Sequence, residues 1–86
     1  MEVQFSKHAK EQMVERGISE SIVLDVLQNP DQQIQESEEK VIYQGIRYFD
    51  PEERNFLVRV FVNIIKQPNV VITVYRTSKI EKYYEN

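Results

Sequence analysis

Tyr43, Arg47, Arg59 and Tyr75 interrupt three apolar runs at positions that a strand would turn outward. If the parity that carries Ile42 and Ile46 faces a core, these four side chains face the other way and converge across neighbouring strands. Such a group suits RNA. Guanidinium groups bind phosphate and stabilise charge that develops during phosphoryl transfer, while tyrosines stack on bases or move a proton. The structural alternative is that cross-strand Arg and Tyr pairs only stabilise an exposed sheet, by a few tenths to about 1 kcal/mol each. The tail brings Arg76, Lys79, Lys82, Tyr83 and Tyr84 into one short span. Basic groups interleaved with tyrosines are what a single-stranded RNA groove uses, although the two terminal tyrosines would equally dock the tail on the sheet. His8 is the only histidine, a side chain suited to acid–base work near neutral pH or, as plainly, to packing at a helix edge. Arg16 lies two helical turns beyond it, free to bind a carboxylate or helix-end carbonyls.

Other chemistry is excluded or disfavoured by composition. With no cysteine there is no disulfide or thiolate, and a zinc site would need carboxylates for every ligand besides His8. No glycine-rich phosphate cradle, paired-carboxylate motif or nucleophile elbow occurs, so neither metal nor cofactor is expected. A chain of 86 residues that is 41% hydrophobic and 29% charged reads as one globular domain over 1–86, with a modest core. No apolar run reaches the roughly 18 residues of a membrane span. The first ten residues lack the apolar centre of a signal peptide, so a cytoplasmic location is expected. The net charge of −3 hides an asymmetry. Residues 1–39 carry three basic and nine acidic side chains, −6 in all, and residues 40–86 carry eight and five, +3. The second half is therefore the one expected to present a positive patch.

The elements that must position these residues centre on 56–76, two apolar runs separated by Lys66, Gln67, Pro68 and Asn69. Phe56, Val58, Val60, Val62 and Ile64 share one parity, as do Val70, Ile72 and Val74, which predicts a β-hairpin with one apolar face. Strands are expected at 41–49, 56–65 and 70–76, with an edge strand around Ile34 and a strand or extended lead-in over residues 2–5. Ser6 and Ser19 are placed to cap helices over 7–16 and 20–28, and Gly17 to close the first of them. Asn29 and Pro30 end the second. Thr77 and Ser78 precede a short helical turn. The expected fold class is α+β: two N-terminal helices on one face of a three- to four-stranded antiparallel sheet, with a C-terminal helical turn.

The segments Phe5-Ser-Lys-His-Ala and Met13-Val-Glu-Arg-Gly-Ile-Ser resemble the opening of a family of small proteins catalogued as domain of unknown function 4258. The run from Val70 to Lys79 resembles that family's last strand and its exit, and is also similar to the end of BrnT-type toxins. These families resemble the RelE/ParE toxin superfamily. The resemblance implies a toxin of a bacterial toxin–antitoxin pair, a metal-independent mRNA endoribonuclease with RNA or the ribosome as target and an antitoxin protein as partner. It implies catalytic roles for Arg59, Tyr75 and Arg76, and RNA contacts from Lys79 and Tyr83. His8, Arg47, Tyr43 and Lys82 complete the candidate set from their residue types and positions. The alternative in the same family is a catalytically silent module that acts through a protein contact, as ParE-like members do, with homodimerisation as a further possibility for the exposed edges.

Overall fold

A computed structural model of the chain describes residues 2–86. Five strands form one sheet: β1 (Val3–Phe5), β2 (Gln32–Gln35), β3 (Lys40–Phe49), β4 (Arg54–Asn63) and β5 (Asn69–Thr77), in the spatial order β1-β5-β4-β3-β2. Helices α1 (Lys7–Glu15) and α2 (Glu20–Gln28) intervene between β1 and β2, and α3 (Ile80–Tyr83) follows β5. The expected architecture, two helices on a three- to four-stranded antiparallel sheet, is thereby corrected. β2 to β5 pair antiparallel, but β1 lies at the far edge and runs parallel to β5, with Val3 opposite Asn69 and Phe5 opposite Val71. The sheet is five-stranded and mixed. A parallel pair needs a long crossover, here almost the whole chain, and three residues carry too little periodicity to announce it.

The helices start and stop where local chemistry dictates. Ser6 Oγ accepts from the Ala9 amide at 3.0 Å, and Ser19 Oγ from the Ile22 amide at 3.2 Å, each satisfying a donor the first turn leaves free. α1 ends in a Schellman arrangement: the Ile18 amide donates to Met13 O at 2.9 Å and the Gly17 amide to Val14 O at 3.4 Å. Gly17 takes φ 63°, a conformation that costs a side-chain-bearing residue about 1 kcal/mol or more. Ile18 is thereby turned inward beside Met13, and both are buried.

α1 packs on β5, and α2 on β3 and β4. Their apolar faces, with Ala9, Met13, Val23, Val26 and Leu27, meet a sheet face built from Val41, Tyr43, Val58, Val60, Val62, Val71 and Val74. Two expectations about parity fail here. On β5 the expected core set Val70, Ile72 and Val74 is broken by a bulge. Phe61 pairs with Thr73 but Val62 with Val71, so Ile72 is the extra residue, and Val71 takes the core position while Ile72 stays half-buried. On β3 the register sets Tyr43 opposite Val60 and Arg47 opposite Phe56, which puts Tyr43 and Arg47 on the helix side and Ile42, Gln44 and Ile46 on the other. Tyr43 is a core residue.

β5 lies next to an edge strand of only three residues, so its outer backbone beyond Val71 lacks a strand partner. α1 supplies side chains instead. The Val74 amide donates to Gln12 Oε1 at 2.9 Å, Arg16 Nη1 donates to Val74 O at 2.8 Å, and Ser6 Oγ to Ile72 O at 3.5 Å. Buried backbone groups must be paired, and Gln12 and Arg16 do the pairing that a longer β1 would have done.

Candidate functional site

The second face of the sheet is built from the other parity: Gln44 opposite Arg59, Ile42 opposite Phe61, Ile46 opposite Leu57 on β3 and β4, and Tyr75 opposite Arg59 on β5. Leu57 and Gln44 are fully buried there, although α1 and α2 are on the opposite side. The C-terminal segment crosses this face. Gln44 Nε2 donates to Tyr83 O at 3.1 Å and to Gln32 Oε1 at 2.7 Å, the Glu85 amide donates to the same Gln32 oxygen at 3.0 Å, and Gln32 Nε2 donates back to Glu85 O.

Arg59 is enclosed between sheet and tail, only 8% exposed. Its Nε donates to Gln44 Oε1 at 2.8 Å and its Nη1 to the Tyr75 hydroxyl at 2.7 Å. Its guanidinium carbon lies 4.7 Å from the Tyr83 ring centre, 5.5 Å from Phe61 and 5.7 Å from Tyr75. Tyr75 stacks on Phe61 at 6.0 Å and meets Tyr83 edge-on at 6.3 Å. Among the described residues no carboxylate pairs with Arg59. Its Nη2 has no hydrogen-bond partner there, and because Arg76 Nη1 is, among the described residues, the only buried side-chain atom lacking one, Arg59 Nη2 reaches solvent. A buried cation is costly unless compensated. Here the compensation is two neutral acceptors and three ring faces, each ring worth about 0.5–2 kcal/mol. The countercharge itself is missing, and an anion such as a phosphodiester would supply it.

The structure thus gathers four of the nominated residues. Arg59, Tyr75 and Tyr83 form the cage, and Lys82 sits over the Tyr83 ring at 5.3 Å. Lys79 is exposed at the start of α3, on the same segment. The other four lie elsewhere. Tyr43 and Arg47 were expected to share this face, and the register puts them on the other. Arg47 is committed to structure: Nε donates to Asp25 Oδ2 and Nη2 to Asn29 O, both at 2.8 Å, with Asp31 Oδ1 3.7 Å from Nη1. Its side chain lies over Gly45, where a Cβ would fall 2.5 Å from Arg47 Nη1, so a side chain at 45 would push the guanidinium aside. His8 is exposed on α1, on the helix side.

Arg76 follows Tyr75 and so points to the helix side as well. Its guanidinium carbon lies 4.3 Å from the Phe49 ring centre and 4.5 Å from that of Phe56, and its Nη2 donates to Glu52 Oε2 at 2.8 Å. That hydrogen bond holds the Glu52 carboxyl below the ordinary value of 4.5. Sequence reasoning missed Gln44, Gln32 and Phe61 as members of the caged site. A glutamine in the middle of an apolar strand, as Gln44 is in 41–49, was the available signal.

Among the described residues no group of three or more His, Asp or Glu side chains is placed to hold a metal ion, and no helix is long and apolar enough to cross a membrane. A mixed sheet with helices on one face and a caged arginine under its own C-terminal segment on the other defines the class. The chain belongs to the family described as Domain of unknown function (DUF4258), whose model matches residues 5–76. No curated protein and no solved structure matches it.

Proposed function

We propose that the chain binds single-stranded RNA on its second sheet face and cleaves it without a metal ion, as the toxin of a toxin–antitoxin pair. The carrying observation is the Arg59 guanidinium, buried without a carboxylate and with Nη2 unused, among three aromatic rings. The resemblance of residues 70–79 to the end of BrnT-type toxins supports the same reading. In the step proposed, the 2′-oxygen forms a bond to the adjacent phosphorus as the bond to the 5′-oxygen breaks, leaving a 2′,3′-cyclic phosphate. The 2′-hydroxyl gives up its proton and the 5′-oxygen takes one. Arg59 Nη2 would hold the phosphate oxygens as charge builds on them, the Tyr75 hydroxyl would orient the nucleotide or relay a proton, and Tyr83 and Phe61 would stack on bases. Arg76 and His8 take no part in this version, since both are on the helix side.

A second reading, a binding module without catalysis, is favoured by one observation. Arg59 spends Nε and Nη1 inside the protein, and no histidine stands at the cage. Induced expression separates the two. Growth arrest with RNA ends carrying 2′,3′-cyclic phosphate is expected from the wild type. Cleavage should fall by about 10²–10³ in Arg59→Ala, the usual loss for one charge-stabilising donor, and stay unchanged in His8→Ala. RNA binding without new ends would move the assignment to the module, and neither effect would remove RNA from the account.

A further inference from the structure

We propose that the edge of the sheet at β1 is a docking site for an extended, cationic segment of a partner protein, which adds a strand to β1 and seats one apolar side chain beside α1. This site is independent of the RNA reading and lies on the other side of the molecule.

Three observations converge. β1 is the terminal strand of the sheet, and among the described residues only β5 pairs with it, so its outer backbone groups are free to pair with a further strand. Directly beside it is an open groove of about 720 Å³ lined on its apolar side by Phe5, Met13 and Ile18, with Val14 at its edge. Val14 is 84% exposed, an apolar side chain on the outer surface of a helix whose inner surface already fills the core. A second, shallower recess on its other side makes Val14 a ridge that a partner would straddle. The rim fixes the sign of the partner. Glu20 and Lys10 balance in the groove itself. The acidic excess comes from the second recess, where Glu11 and Glu15 stand beside the same Lys10, so the part of the partner that crosses Val14 is the part that must be cationic.

An acidic rim repels a nucleic-acid backbone and also a second copy of this face brought up by two-fold symmetry. What fits is a chain with free backbone amides, an apolar anchor and flanking lysine or arginine. Burial of the anchor supplies affinity, and the charges select the partner and speed its approach.

Synthetic ten-residue peptides test this by amide chemical shifts of the full chain. A peptide alternating valine with lysine should bind saturably, moving the Gln4, Phe5, Val14 and Ile18 signals. Peptides alternating valine with glutamate, or serine with lysine, should bind at least about tenfold more weakly, a difference of about 1.4 kcal/mol. Val14→Asp, at an exposed position that leaves the fold intact, should weaken the valine–lysine peptide by at least the same factor. The paired change Glu11→Lys, Glu15→Lys should shift preference towards the valine–glutamate peptide. Equal binding of the valine–lysine and serine–lysine peptides would reduce the effect to bulk charge and overturn the proposal. So would shifts confined to the Arg59 face or to β2, or concentration-dependent dimerisation that moves the same signals without peptide.

Discussion

Arg59 and Arg76 sit on neighbouring strands and opposite faces, and each solves the problem of a half-hidden guanidinium differently. Arg76 uses a carboxylate: its guanidinium lies against the perpendicular pair Phe49 and Phe56, and Glu52, in the β3–β4 turn, takes one edge. Arg59 has rings and neutral acceptors but no anion, which is why it, rather than Arg76, is the candidate for a phosphate. The Arg76 pair has a testable signature in pH. Because the Glu52 carboxyl is held below its ordinary value, its contribution to stability is fully present above about 4.5 and is lost as pH falls through the lowered value. Glu52→Gln should therefore narrow the stability gap between pH 6 and pH 3 in urea titrations. An unchanged gap would mean that the pair exists in the structure without contributing to folding. For Arg59, replacement by methionine leaves Gln44 Oε1 and the Tyr75 hydroxyl without their donor, at a cost of about 1–3 kcal/mol. Arg59→Lys, one point charge in place of a fork, should recover only part of that. Recovery of full wild-type stability by lysine would show that charge alone, and not the fork, matters at this position.

At the scale of elements, what was legible depended on how unequal the two parities of a strand are. In β4 the apolar side chains Val58, Val60 and Val62 alternate with Arg59, Phe61 and Asn63, and one inward face follows directly. The serine caps and Gly17 were legible for the same reason, since each is tied to one local backbone need. In β5 the run Val70, Val71, Ile72 offers apolar groups to both faces, so nothing in the sequence marks the residue that bulges. β3 is similarly balanced between Val41, Tyr43 and Phe49 on one side and Ile42, Ile46 and Tyr48 on the other. The face of Arg47 and Tyr43 therefore had to come from the register. Paired truncations check the bulge: Val71→Ala should cost about 2–3 kcal/mol, while Ile72→Ala, at the displaced position, should cost about 1 or less. The reverse order would restore the uninterrupted parity. A related measurement addresses α1 as a substitute for a strand. Gln12→Ala strips the buried Val74 amide of its acceptor and should cost about 1–3 kcal/mol, with faster amide exchange at Val74 than at its neighbours.

At the scale of the molecule, the sheet carries two unlike layers. The helix side is an apolar core spanning α1, α2 and three strands, whereas the tail side is a thin polar cover in which hydrogen bonds between glutamine side chains and the tail backbone, together with the Tyr83 ring, close over Arg59 and Gln44. The family match ends at residue 76, so it contains the whole helix-side core and leaves α3 and the residues after it outside. That division suggests how the two layers should separate in energy. A chain ending after Ser78 keeps every residue of the core cluster and should remain folded, with its helix and sheet signals intact. It loses the Tyr83 ring over Arg59 and the tail hydrogen bonds of Gln44 and Gln32, which should lower stability by about 1–3 kcal/mol. Apolar dye binding should rise, and amides of β3 and β4 should exchange faster at Gln44 and Arg59 than at Tyr43 and Val60. An unchanged urea midpoint would mean that the segment rests on the sheet without stabilising it, and complete unfolding would mean that the tail is part of one cooperative unit with the helix-side core. The same truncated chain also bears on the RNA reading. If Tyr83 and Lys82 are working parts of the cage rather than packing, RNA binding should weaken together with stability, and its dependence on salt should flatten by about 0.7 in log–log slope for each phosphate that the shortened chain no longer neutralises.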